Sequence, residues 1–240
     1  MSQPYVSDAL WELVKPLLPR ERNRHHQSVG RKPIDPRVCL EGILFILKTG
    51  LPFAAVPPYG GLPSGVTCWR RLRAWQKRGV WKKLFEIVLN GLRRECKLDL
   101  SRAIVDSSSI RAPGGGRKTG PNPTDRRKKG TKHHLIVDAQ GIPLAVEVTG
   151  ANRHDVTQLI KLVTAIPPIS GRVGRPIHKP KIVQGDRGYD SEPKRQELKK
   201  NGHQTRDRQA PYRSRVRARK DEMGGRAVHR TLGAEQAVDS

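Results

Sequence analysis

Residues 181–192 read KIVQGDRGYDSE, a short β-branched run that ends on Gly185 and Asp186 and is followed at once by Arg187, Gly188 and Tyr189. Such a run, bounded by a glycine, predicts a strand, and SEPKRQELKKNG after it predicts a helix closed by Gly202. A carboxylate at the end of a strand needs a reason. The bland one is a turn or helix-capping residue, and for one Asp alone that reading is the stronger. Upstream, however, RAIVD is a second short strand that also ends on an aspartate, Asp106. If the two strands lie side by side, both carboxylates project from neighbouring strand ends at one edge of a sheet, where open α/β sheets place their ligands.

The segments between and around these strands extend the pattern. KHHLIVDAQ and IPLAVEVTG predict a hairpin that turns at Gln140-Gly141, and HDVTQLIKLVTAI predicts a helix opened by Asp155. Strand, hairpin, helix, strand and helix together predict an α/β fold (α+β mixed), a mixed sheet with flanking helices, over residues 98–202. Between the first strand and the hairpin runs APGGGRKTGPNPTDRRKKGT, rich in Gly, Pro, Lys and Arg and without an apolar pattern, which is expected to wrap nucleic acid or to be mobile. After Lys200 the aliphatic residues are Val216, Val228, Leu232 and Val238, too sparse for a strand or helix face, so residues 203–240 are expected to be a disordered tail.

Residues 1–97 have a different character. SDALWELVKPLLP opens on a Ser7 or Asp8 N-cap, places Leu10, Leu13, Val14, Leu17 and Leu18 at helical spacing, and stops near Pro19. Pro36 opens a second, nearly continuously apolar helix through Leu47, which Gly50 and Pro52 end. VTCWRRLRAWQKRG and VWKKLFEIVLNGLRREC then predict a helix pair that meets at Gly79. In the first of the pair Trp69, Leu72 and Trp75 are expected to face inward, and Arg70, Arg71, Arg73 and Lys77 to occupy the other faces. A helix so arranged suits DNA phosphates, against the plainer reading of a solvated basic face.

Composition narrows the class of partner. The 240 residues carry 47 Lys and Arg against 22 Asp and Glu, a formal charge of +25 spread along the chain, which favours a polyanion, nucleic acid ahead of a membrane surface. Cys39, Cys68 and Cys96 are too few and too far apart for a disulfide framework or a Cys-x-x-Cys zinc site, and are expected to be reduced packing residues of a cytoplasmic protein. The longest apolar stretch, GILFILKTGLPFAAVPP, is interrupted by Lys48, Gly50 and Pro52, so no membrane span is expected. Two carboxylates on so basic a chain make a metal site competitive, because paired carboxylates hold the hard cations Mg²⁺ or Mn²⁺ that assist phosphoryl transfer.

The segments IVDSSSIRA, GTKHHLIVDAQGIPLAVEVTGANRHDVTQL and QGDRGYDSE, in this order, resemble the catalytic domain of bacterial insertion-sequence transposases of the DDE type, in the group called types four and five. LWELVKPLLP, GRKP, ILFILKTGLPFAAVP and WRRLRAWQKRGVWKKL are similar to that group's helical leader, so the resemblance covers roughly residues 5–202. It implies an RNase H-like fold, a helical N-terminal domain that binds the element's terminal inverted repeats, and strand cleavage and transfer into target DNA with two divalent ions, by a homo-oligomer in the bacterial cytoplasm at the nucleoid. Carried onto this sequence, Asp106 and Asp186 are the first two catalytic acids and metal ligands. Arg70, Arg71, Arg73, Lys77, Arg126, Arg127, Lys128, Lys129 and Arg187 are the candidate DNA contacts. Arg187 and Tyr189 are expected to steer the scissile phosphate or, more plainly, to support the turn. His133, His134 and His154 are read as polar strand or turn residues and not as ligands.

The family's third acid, a Glu in a stretch resembling Trp-Val-Val-Glu-Arg, has no counterpart, and the remaining glutamates, Glu222 and Glu235, lie in no helical pattern. Read one base out of frame, codons for HQTRDRQA can encode Ile-Lys-Pro-Val-Ile-Ala-Lys-Arg, and codons for DEMGGRA can encode Thr-Arg-Trp-Val-Val-Glu-Arg. Met223 followed by any Gly codon forces Trp in the shifted frame. The expectation is therefore a frameshift near Asn201 or Gly202, a fold incomplete at its C-terminus and a transposase defective in this chain. The alternative is a non-catalytic DNA-binding protein of repressor type, and a metal-dependent nuclease of the same fold is a weaker third.

Overall fold

The structure, a computed structural model, describes residues 4–19, 33–56 and 61–205. The helical part begins with α1 (Asp8–Val14), capped by the Ser7 hydroxyl, which accepts from Leu10 N, and continues through a 3-10 turn over Lys15–Leu17 where Pro16 cannot extend the α-helix. Helix α2 (Pro36–Thr49) is capped by Asp35, whose carboxylate accepts from the amides of Arg37 and Val38, and ends on Gly50 in the left-handed region. Helix α3 (Gly65–Lys77) starts at Ser64, and Gly79, with φ of 72°, turns the chain into α4 (Val80–Arg94). Val14, Leu40, Ile43, Ile46, Trp75 and Val80 form the core of this part.

Helix α4 faces two ways. Val80, Trp81 and Leu84 pack into the helical core, whereas Phe85 and Leu89 pack into the core of the sheet. Its C-terminal half is tied on by Arg93, which donates to the Ile169 carbonyl, and by Asn90, which accepts from Ser170 N at 2.6 Å.

The sheet follows the predicted element order. Strand β1 (Arg102–Arg111) is antiparallel to β3 (Lys129–Asp138), which is antiparallel to β4 (Pro143–Gly150). The short β2 (Gly120–Pro121) lies against the first residues of β3. A 3-10 turn at Asp155–Gln158 leads into α5 (Leu159–Thr164), and the chain returns through β5 (Ile182–Gly185), parallel to β1. Helix α6 (Glu192–Lys200) and β6 (Gln204–Thr205) follow, and β6 lies beside β5. Without the short β2, the order across the sheet is β4-β3-β1-β5-β6, a three-stranded antiparallel meander extended by a parallel strand on the side of β1. This is an RNase H-like mixed sheet. Ala103, Val105, Ile136, Leu144, Val183, Leu162, Ile166 and Leu198 fill the core between it and α5 and α6.

Four expectations are corrected. Strand β1 does not stop at Asp106: β3 pairs with it as far as Arg111, so Asp106 sits mid-strand, where the parallel partner β5 ends. The basic stretch after β1 is not a bare loop, since Asn122 is buried, Arg111 and Asp125 form a bidentate ion pair, and β2 pairs with β3. Trp69 does not face inward with Trp75: it is 45% exposed against 1%. A spacing of three residues rotates a helix by about 300°, so two steps from Trp75 back to Trp69 carry the ring off the buried stripe. Finally, the tail's first residues join the fold, because His203 is buried, bonds the Pro180 carbonyl, and precedes Gln204, whose amide donates to the Lys181 carbonyl at 2.7 Å. The rest of the tail, with Glu222 and Glu235, lies outside the described residues. Of the cysteines, Cys39 and Cys68 are buried, but Cys96 is exposed.

Candidate active site

The parallel pairing of β1 with β5 aligns Val105 with Gly185. The next residue on each strand is an aspartate, so Asp106 and Asp186 stand at the same level on neighbouring strands although they are far apart in sequence. Both are exposed. Each is anchored through one oxygen: Asp106 Oδ1 accepts from Ser107 N at 2.7 Å, and Asp186 Oδ1 accepts from Gly188 N at 3.0 Å. Among the described residues neither carboxylate is in a salt bridge, which leaves its charge available to a cation.

Beneath the pair lies a buried polar network. The backbone after Asp186 makes a 3-10 turn, Arg187–Tyr189, that folds Tyr189 back under the strand end, where it is 4% exposed. Its hydroxyl contacts His134 Nδ1 at 3.0 Å, and His134 pairs across the sheet with Ser107, the residue after Asp106. His134 is wholly buried and uses Nε2 against the Thr149 hydroxyl at 2.9 Å. Tyr189 therefore links the strand that carries Asp106 to the turn that carries Asp186. Burial pushes its hydroxyl well above the ordinary tyrosine value, an effect opposed by the neighbouring Ser107 and reinforced by Asp155, Asp186 and Asp106. Burial likewise pushes the His134 imidazole below its ordinary value, with Asp155 pulling the other way.

Asp155, at the start of the 3-10 turn before α5, brings a third carboxylate near. A Cβ built on Gly188 would lie 3.2 Å from Asp186 Oδ1 and 3.3 Å from Asp155 Oδ2, so the two carboxylates converge over that glycine, and a side chain there would wedge between them. Lys132 Nζ, only 16% exposed, lies 3.1 Å from Asp155 Oδ1 and holds the Arg153 carbonyl at 3.2 Å. Asp155 Oδ1 also lies 3.5 Å from His134 Nδ1, without a well-aligned hydrogen bond. Asp155 is thus a support ion-paired to Lys132, whereas Asp106 and Asp186 are in no salt bridge among the described residues.

The other candidates separate. Tyr189 is too buried to touch a phosphate and acts as the support. His133 is half-buried and His154 exposed. Arg70, Arg73 and Lys77 share an exposed face of α3, whereas Arg71 is half-buried on the flank that leads to Cys68 and Trp75. Arg126 to Lys129 are exposed around a tight turn in which Arg126 and Arg127 both adopt positive φ, 49° and 59°. Lys132, His134, Thr149 and Asp155 were not singled out for this role. The signal for His134 was present, since in His134-Leu135-Ile136-Val137-Asp138 alternate residues 134, 136 and 138 face the core.

Comparison with known proteins agrees with this architecture. Residues 6–85 match the family described as "Putative transposase of IS4/5 family". Residues 97–236 match the family described as "Transposase DDE domain", a range that runs past residue 202, where the motif resemblance ends. The chain belongs to the DDE transposase family of insertion sequences. It is 52% identical over 123 residues to the "Insertion element IS402 uncharacterized 16.2 kDa protein" of Burkholderia cepacia, covering 51% of this chain and 84% of that protein. It is 54% identical over 101 residues to the "Putative transposase for insertion sequence element IS402" of the same organism, covering 42% of this chain and 46% of that protein, so it spans less than half of that relative's length. A chain in the crystal structure of the Mos1 strand transfer complex is similar at a TM-score of 0.31 and 14% identity, over 89% of this chain and 70% of that one, a likeness too loose to carry an argument. No helix among the described residues is long and apolar enough to cross a membrane.

Proposed function

We propose that this chain descends from an insertion-sequence transposase that binds the element's terminal inverted repeats through its helical part, residues 1–97, and offers Asp106 and Asp186 of residues 98–202 for metal-dependent DNA cleavage and transfer. The observation that carries this is the Val105–Gly185 register, which sets side by side two exposed carboxylates that form no salt bridge among the described residues. Their donor set is hard oxygen on a pocket of negative charge in a +25 chain, which suits Mg²⁺ or Mn²⁺. A divalent cation held there would supply charge neutralisation and Lewis acidity for in-line displacement at phosphorus. The chain's own part is to hold the two carboxylates at fixed spacing through Tyr189 and to deliver a phosphate along Arg70, Arg73, Lys77, Arg126, Arg127, Lys128, Lys129 and Arg187. Active assembly would pair two element ends through a homo-oligomer.

Two ions need more donors than two carboxylates. Among the described residues no group of three His, Cys, Asp or Glu is gathered to hold a metal. The sequence carries no Trp-Val-Val-Glu-Arg-like stretch, which supports a second reading, a chain that binds DNA ends and cuts them poorly or not at all, consistent with a frame change near Asn201 or Gly202. The nucleotide sequence beyond codon 195 tests the frame: a neighbouring frame that encodes a Trp-Val-Val-Glu-Arg-like helix supports it, and its absence sinks it. Cleavage of an inverted-repeat duplex with Mg²⁺ or Mn²⁺ tests the activity. If cleavage occurs, Asp106→Asn and Asp186→Asn should abolish it and spare end binding; variants that still cut would remove these residues from the site.

A further inference from the structure

Among the described residues, helix α3 turns towards solvent a face that is largely exposed. Cys68 and Trp75 are buried on one side, while Val66 at 53% exposure and Trp69 at 45% lie on the other with Arg70, Arg73, Ala74 and Lys77. These positions recur every three or four residues and form one stripe along the helix. The Trp69 ring lies 5.2 Å from Phe53 at an interplanar angle of 60°, and the Arg73 guanidinium sits 5.8 Å from the Trp69 ring centroid. Trp69, Arg70, Arg73, Ala74 and Lys77 line an open depression of about 460 Å³. Helix α3, GVTCWRRLRAWQK, contains no acid.

A solvated basic face needs no tryptophan, and neither does a helix that only touches duplex phosphates, since a phosphate offers an indole nothing apolar to meet. An exposed indole flanked by cations matches a ligand that alternates planar apolar groups with negative charge. Nucleobases and phosphates in an unstacked strand do so, because each base then exposes its π-face. A paired and stacked base does not. We infer that this stripe holds DNA at an unpaired stretch: one base stacks on Trp69, while Arg70, Arg73 and Lys77 take the phosphates around it. Arg73 rests over the indole when the site is empty and exchanges that cation–π contact for a phosphate when a base arrives. The inference rests on the DNA-binding reading above, and sharpens it from DNA to DNA with a base out of the stack.

The test uses the full chain and three labelled probes: a mixed-sequence blunt duplex, the same duplex with an unpaired oligo-dT tail, and oligo-dT alone, compared by fluorescence anisotropy at one fixed salt concentration. The chain should prefer the tailed duplex to the blunt one. Trp69→Ala should weaken tailed and single-stranded binding by about 5- to 150-fold, the range for one stacked base, and leave the blunt duplex unchanged. Trp69→Phe, which keeps a π-face, should retain most of the preference. Trp69→Leu, which keeps an apolar contact with Phe53, should lose it, and so separates stacking from helix packing. Arg70→Ala combined with Lys77→Ala should weaken all three probes. Equal losses on tailed and blunt duplex with Trp69→Ala, or no loss on either, would overturn the inference, and no loss would leave a protein partner as the reading of this face. Wild-type chain that binds no probe would instead overturn the DNA-binding reading itself.

Discussion

Replacing Tyr189 with Phe removes one oxygen from the point where the two acid-bearing strands are joined. That oxygen contacts His134 Nδ1 at 3.0 Å, on the residue paired with Ser107 of β1, and at 4% exposure Tyr189 leaves little room for water to replace it. The ring stays, and so does its packing against Gly185, whose Cβ position is 3.0 Å from Tyr189 Cβ. What is lost is the hydrogen bonding alone, with an imidazole nitrogen orphaned on a fully buried side chain, a cost of about 1–3 kcal/mol. Tyr189→Ala also opens a cavity and should cost about 3–5 kcal/mol. Urea unfolding followed by circular dichroism should show Tyr189→Phe with a lower midpoint and an unchanged slope. Calorimetric titration with Mn²⁺ should show weaker binding by the same variant, although no candidate ligand has been touched. If Tyr189→Phe matches the wild type in both midpoint and Mn²⁺ affinity, the hydroxyl does not hold the carboxylates together and the positioning argument is wrong.

Other outcomes follow from the same geometry. Because burial holds the His134 imidazole below its ordinary value of 6.5, the unfolded chain takes up that proton first as pH falls; the stability linked to His134 is present above about pH 6.5 and lost below it, and His134→Asn should flatten that limb of a stability–pH curve. Asp138 is wholly buried and accepts from the amides of Gln140 and Ile142 through Oδ1 and of Asp99 through Oδ2. Asp138→Ala should therefore cost about 3 kcal/mol or more in denaturant, and Asp138→Asn, which keeps the Oδ1 acceptor for the hairpin turn, clearly less. Gly91 lies within α4 with nothing near its Cβ position, so Gly91→Ala should raise the unfolding free energy by about 0.5–1 kcal/mol. Gly65→Ala, whose Cβ would overlap the Phe53 carbonyl, should lower it by several times that amount.

The sequence by itself determined the helices and turns. Ser7 and Asp35 at N-caps, Pro36 at a first turn, and Gly50, Gly79, Gly141 and Gly202 at positive φ act within a few residues of themselves, so each could be read without knowing what it would pack against. Period-two alternation did the same for the hairpin, and the aspartates of RAIVD and KIVQGD pointed to the candidate site. Tertiary structure decided what depends on a distant partner. Strand β1 runs on past Asp106 because β3 supplies hydrogen bonds as far as Arg111, although Ser107, Ser108 and Ser109 have little strand propensity of their own. Which stripe of α3 is buried is set by its contact with α2, which covers Cys68 and Trp75; Trp69, six residues before Trp75, is then rotated off that stripe by its spacing. Tyr189 and His134 meet because a parallel crossover through α5 returns β5 to the flank of β1, and burial then requires their polar atoms to be satisfied within the protein, His134 Nδ1 by the Tyr189 hydroxyl and Nε2 by the Thr149 hydroxyl.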